Sequence, residues 1–166
     1  MVVVKIKKDV SGGAEYLRNA VNYVYNPYRA HGLSAHGVSL YSSELTYHQM
    51  MAIKKYYGKT STNPLVHFII SYDRSVADML KAIGYTQAIA VCFKNQFQTI
   101  QCAHEKDRDH SWYHTHIVVN SVSYVDGKML NTSLENMNLF CKYVGEITGR
   151  VTRFYFEKDD EDSFKV

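Results

Sequence analysis

Hydrophobic and polar residues run along this chain in two rhythms, one of period two and one of period 3.6, and together they predict most of its elements. Residues 2–7 (Val-Val-Val-Lys-Ile-Lys) read as a first strand. Leu17, Ala20, Val21 and Val24 then fall at i, i+3, i+4 and i+7, the buried stripe of an amphipathic helix. Ser11 is placed to cap that helix, Glu15 suits its first turn, and Asn26-Pro27 stops it. Residues 28–43 read as a loop holding a short strand at 38–41. Thr46 and Gln49 form a capping box for a second helix that reaches Tyr57 and closes at Gly58.

Residues 65–72 are hydrophobic almost without a break, the signature of a strand buried on both faces. Ser75 and Asp78 then open a third helix, whose core face would carry Val76, Leu80, Ile83, Gln87, Ala90 and Val91. Alternation returns at 96–103, and β-branched residues dominate 114–121, which predicts two strands around a charged hairpin loop at 105–109. Asp126-Gly127 marks a tight turn. Thr132 and Glu135 form a capping box for a fourth helix that buries Met137, Phe140, Cys141 and Val144 and ends at Gly149. Residues 151–156 read as a last strand.

Helices alternating with strands, some adjacent as hairpins, predict an α+β fold: a mostly antiparallel central sheet flanked by helices. The length suits one domain with a sizeable core. We expect that domain to occupy residues 1–156, with 157–166 an acidic C-terminal tail or the start of a linker.

Charge sharpens this division. The last ten residues carry five acids and two lysines, so residues 1–156 hold 17 basic and 11 acidic side chains, a balance of +6. A basic body suits a polyanionic partner. Fourteen tyrosines interleaved with Lys and Arg add the aromatic faces on which single-stranded nucleic acid stacks. Cys92, Cys102 and Cys141 are odd in number and sit in apolar segments, which fits core packing in a reducing compartment. No apolar run approaches the ~20 residues of a membrane span, and the first residues lack a signal peptide's layout. The expected setting is therefore cytoplasmic, without membrane insertion.

Candidate chemistry concentrates in the segment 104–120. Residues two apart on a strand point the same way, so His114 and His116 share a face. An antiparallel partner strand ending at His104 would bring a third imidazole beside them. Three convergent histidines with an open fourth position suit a catalytic divalent metal. His110 lies mid-loop, and His31, His36, His48 and His67 show no spacing pattern, so these five are expected to be structural or solvated.

Three blocks carry a family resemblance: Ala20-Val-Asn-Tyr-Val-Tyr-Asn-Pro27, Asn63-Pro-Leu-Val-His-Phe-Ile-Ile-Ser-Tyr72, and His104 followed by His114-Thr-His-Ile-Val-Val-Asn-Ser-Val-Ser-Tyr-Val-Asp-Gly127. In this order they resemble the relaxases, the mobilisation nucleases of the HUH endonuclease superfamily, and more narrowly the MOBP-type tyrosine relaxases. The resemblance implies an antiparallel sheet bearing the paired-histidine strand. It also implies nicking of one DNA strand at an origin of transfer, for conjugative mobilisation of a plasmid or integrative element. Tyr23 would be the nucleophile that becomes joined to the 5′ end of the DNA. His104, His114 and His116 would hold one divalent ion, with Mn, Mg, Zn, Co and Ni not distinguished, although Mg binds nitrogen weakly. Ser71, Tyr25 and Asn120 would contact DNA. Origin-of-transfer DNA, and accessory mobilisation and coupling proteins, would be the partners.

Two positions depart from the family pattern. Thr115 stands between the paired histidines where a bulky hydrophobe is usual. Lys106 stands where an Asp often follows the first histidine, leaving Glu105 and Asp107 as alternative supporting acids. Other functions stay open at this point. A different HUH nuclease, such as a replication initiator or transposase, would use a tyrosine on a later helix, where Tyr143 lies. A non-catalytic nucleic-acid-binding domain would use its histidines structurally. Within the first helix, Tyr23 and Tyr25 lie about 200° apart at ~3.6 residues per turn, so both cannot face one site.

Overall fold

Six strands and four helices follow one another as β1 (Val2–Lys7), α1 (Gly13–Val24), β2 (Ala30–His36), α2 (Ser43–Tyr56), β3 (Leu65–Ser71), α3 (Met79–Ala90), β4 (Thr99–Lys106), β5 (Trp112–Asn120), α4 (Leu134–Thr148) and β6 (Thr152–Glu157). The computed structural model describes residues 1–8, 13–73, 75–76, 78–106 and 112–157, the side chains of 106 and 112 excepted. The strands form one sheet in the order β2-β4-β5-β3-β1-β6. Every neighbouring pair is antiparallel except β1 with β6. The fold is thus the expected α+β arrangement with a mostly antiparallel sheet.

Strand alternation divides the core in two. Leu65, Ile100, Cys102 and Val118 face α1 and α2, packing against Leu17, Ala20, Val21, Val24 and Met50. Val4, Phe68, Ile70, Ala103, Ile117 and Val119 face the other way, against Ile89 of α3 and Met137, Phe140 and Val144 of α4. Each large side chain so buried contributes roughly 1.5–3 kcal/mol. The α1 stripe buries the four residues its periodicity named, and α4 buries its four and closes at Gly149 with φ 65°.

Several expectations are corrected. Residues 28–43 hold a real strand, β2, and none at 38–41. This strand lies at the sheet edge and its register slips between His31 and Ser34, so no regular alternation survives in its sequence. Ser42, not Thr46, caps α2, accepting from the Leu45 amide. Thr46 instead donates to the Ser39 carbonyl at 2.7 Å. Helix α3 begins four residues later than Ser75, capped by Asp78, and buries Ala82, Thr86, Ile89 and Ala90. Leu80 is 76% exposed, so the apolar face was misplaced by the polar Thr86 inside the true stripe. Ser133, one residue beyond Thr132, caps α4. Cys92 is exposed, although Cys102 and Cys141 are buried as expected. The Ser11 cap, and His110 and Asp107 of the charged loop, lie outside the described residues.

Candidate metal centre and its tyrosine

The pairing of β4 with β5 sets His104 opposite His114 and Cys102 opposite His116. Paired residues share a sheet face, and Cys102 packs under α1 and α2. All three histidines therefore point to that side. Their ring centroids are 4.4 Å apart for His104 and His116, 4.8 Å for His114 and His116, and 5.4 Å for His104 and His114. One nitrogen from each lies within 4.8 Å of the other two. His104 and His116 are buried, and the Nε2 of each has no hydrogen-bond partner among the described residues.

Those lone pairs are kept available. Burial, reinforced by His114, Arg29 and His31, pushes His104 down to about 3. Burial and the neighbouring His67 hold His116 well below the ordinary histidine range. Neutral imidazoles with unspent nitrogens fit a divalent ion of borderline softness.

Sequence spacing missed a fourth histidine. His67 of β3 is fully buried, and its Nε2 lies 2.8 Å from His116 Nδ1. The two ring nitrogens share one proton in this contact, and His116 Nε2 is left without a partner among the described residues. Burial, with Lys7 and His104 beyond it, pushes His67 down to about 3, so it is neutral. Only register reveals this contact, through Ile69 opposite His116 and His67 opposite Val118. Glu105 is exposed and pairs with Tyr113, which puts it on the opposite face of the sheet from the histidines.

Helix α1 crosses β4 and β5 on the histidine side. Its Tyr23 ring packs 5.2 Å from the His104 ring and 5.0 Å from the His116 ring. Tyr25 turns elsewhere, with its hydroxyl 2.8 Å from Thr46 Oγ1.

A three-histidine face on two adjacent antiparallel strands, closed by a helix that carries a tyrosine, invites comparison with known families. The family model for relaxases (the MobA/VirD2-like nuclease domain) matches residues 17–150. The chain belongs to that family. No curated protein matches it. Membership makes this a nuclease domain that acts on DNA, and the four clustered histidines and Tyr23 all fall inside the matched span. No described helix is long and apolar enough to cross a membrane.

Within the relaxase domain, the remaining named residues fall into distinct places. Ser71 of β3 stands opposite His114, half-buried on the histidine face. Asn120 is buried, and its amide nitrogen donates to Met50 O at 3.0 Å and to Gln98 Oε1 at 2.9 Å, tying β5 to α2. Tyr143 lies on α4, across the sheet from the histidines, and donates to the Ala88 carbonyl at 2.9 Å.

Thr115 points away from its histidine neighbours into the α3 side. Its hydroxyl lies 2.8 Å from Tyr72 OH and 2.6 Å from Thr86 Oγ1, and Thr86 donates to Ala82 O. With the Thr86 proton committed, the chain runs Tyr72 to Thr115 to Thr86 to Ala82. Every proton in it is used, so a polar residue is accommodated where a hydrophobe is usual.

Proposed function

We propose that this domain is a tyrosine relaxase that nicks one DNA strand at the origin of transfer of a mobile element, with Tyr23 as nucleophile. The observation that carries this reading is the Tyr23 ring packed against His104 and His116. In the step proposed, the Tyr23 oxygen forms a bond to the scissile phosphorus as the bond from phosphorus to the 3′ oxygen breaks. The phenolic proton ends on that 3′ oxygen. A phosphotyrosine at the 5′ end keeps the phosphodiester's energy, so the freed 3′ hydroxyl can reverse the step and rejoin the strand.

His104, His114 and His116 would hold one divalent ion, which would supply positive charge to the non-bridging oxygens. Because the ligands are neutral imidazoles, none of that charge is cancelled by a carboxylate ligand. His67 holds the tilt of His116 through their hydrogen bond. Ser71, beside His114, is the position we assign to contact DNA near the nick. Tyr25 has its hydroxyl occupied, leaving its ring for stacking.

The helix position of Tyr143, on the far sheet face and bonded to Ala88, disfavours a replication initiator or transposase that uses a later tyrosine. We take residues 1–156 as the nuclease unit. Glu157, the first residue after it, ends β6 in ion pairs with Lys5 and Lys7. Accessory mobilisation and coupling proteins are the partners such an activity requires, in the cytoplasm of the donor cell. Incubation with single-stranded origin DNA and Mn, Co, Ni or Zn tests the reading. Cleavage that leaves protein covalently on the 5′ end supports it, and cleavage that leaves only free ends contradicts it.

A further inference from the structure

Two rows of side chains lead sideways from the histidines across the sheet. Pairing between neighbouring strands aligns His114 with Ser71, Val3 and Arg153, and His116 with Ile69, Lys5 and Tyr155. Paired residues share a face, so both rows lie on the histidine side. With strands about 4.8 Å apart, β6 stands roughly 14 Å from the paired histidines on β5. The core under α1 and α2 draws on β3, β4 and β5 and, among the described residues, on none of β1 or β6. The rows are accordingly accessible: Val3, Lys5, Ile69 and Ser71 are half-buried, Arg153 is exposed, and Tyr155 is 46% exposed.

Alternation along β1 and β6 explains the chemistry of this face. The even positions Val2, Val4, Ile6 and Phe154 pack into the α3 and α4 side of the core. The odd positions from Lys5 onward carry Lys5, Lys7, Arg153, Tyr155 and Glu157. Lys5 and Lys7 reach Glu157 at 2.8 and 2.7 Å, and the Lys5 amine lies 5.8 Å from the centre of the Tyr155 ring. Three cations against one acid leave the face positive, and an exposed aromatic ring stands among them. Solubility would be served by charge of either sign and asks for no ring. Cations that follow a backbone, interleaved with a ring on which a base stacks, are the working parts of a single-strand binding track. Both strands lie outside residues 17–150, so this lane is an extension beyond the span that the family model matches.

We propose, resting on the nicking function above for the place where the strand is cut, that this open lane carries the single-stranded DNA running from the scissile phosphate. A base stacks on Tyr155, and Lys5 and Arg153 meet the phosphates. Binding of a short fluorescent oligothymidine, followed by anisotropy in chelator and over a range of salt, measures the lane without any cleavage. Tyr155→Ala should weaken binding roughly 5- to 150-fold, and Tyr155→Phe, which keeps the ring, should bind as the parent does. Arg153→Ala should lower the slope of log affinity against log salt by about one.

Arg153 and Tyr155 are exposed, so both variants should keep the melting temperature of the parent. Parent-like affinity in Tyr155→Ala and Arg153→Ala overturns the proposal. So does an equal loss on duplex DNA, which offers no unstacked base to the ring. Unchanged DNA affinity with a shift from dimer to monomer in sedimentation also overturns it, and assigns the face to a second copy of the chain. Adduct formation is scored separately, with metal and origin DNA. An adduct on Tyr23 with parent-like binding by both variants removes the lane alone. Weakened binding by both variants with no adduct on Tyr23 removes the nicking function alone.

Discussion

His67 Nε2 lies 2.8 Å from His116 Nδ1, from the neighbouring strand and wholly out of solvent. Both rings are held neutral, so the contact supports His116 by a hydrogen bond and not by a negative charge beside the triad. His67→Ala is expected to lower divalent-metal affinity about 10- to 100-fold, read by calorimetry with Co or Mn. His67→Gln, which retains an acceptor, should recover most of it. Unchanged affinity in His67→Ala would show that the contact does not support the site.

His114→Ala and His116→Ala should each abolish metal-dependent cleavage and leave the fold intact, as monitored by circular dichroism. The half-buried His114 contributes little packing, so its loss should hardly move the melting temperature. Undiminished cleavage by either variant would remove the triad from the mechanism.

Thr115→Val breaks the hydroxyl chain in the α3 side of the core. Tyr72 would then lose the Thr115 acceptor for its buried O–H, keeping only the neighbouring Thr86, which costs about 1–3 kcal/mol in urea unfolding. Pairing it with Tyr72→Phe removes that donor and should return part of that loss. A double variant less stable than the sum of the two single effects would contradict the chain as drawn.

Lys54 is buried on α2 and donates to Ser121 Oγ at 2.8 Å, and burial pushes its amine down to about 8. Between pH 8 and the ~10.4 of an unfolded lysine, the unfolded chain binds the extra proton, so folding stability rises with pH across that window. The gain is on the order of 2–3 kcal/mol. Subtracting the stability profile of Lys54→Met from that of the parent should isolate this rise, and a flat difference would refute it.

Strong periodicity made β1, α1 and α4 legible, and the period-two spacing of His114 and His116 made the site legible with them. The sequence hid whatever depends on pairing between distant segments. Strand β2 is held by β4 at the sheet edge, with Gly32 at φ 63° inside its bulge, so its residues carry no alternation. The α3 stripe was hidden by Thr86, whose polarity is cancelled by Thr115 on β5. His67 looked idle for the same reason, since it meets His116 only across β3 and β5.

The central claim rests on one hydroxyl among several. Tyr25 directs its hydroxyl to Thr46, whose own proton goes to the Ser39 carbonyl, while Tyr23 packs on the histidines. The tryptic peptide 19–29 contains Tyr23, Tyr25 and Tyr28, so fragmentation mass spectrometry of the protein–DNA adduct assigns the attachment directly. The account predicts a nucleotide mass on Tyr23, present in the parent and in Tyr25→Phe and absent in Tyr23→Phe, which still binds DNA. A nucleotide on any other residue, or an adduct formed by Tyr23→Phe, would contradict it.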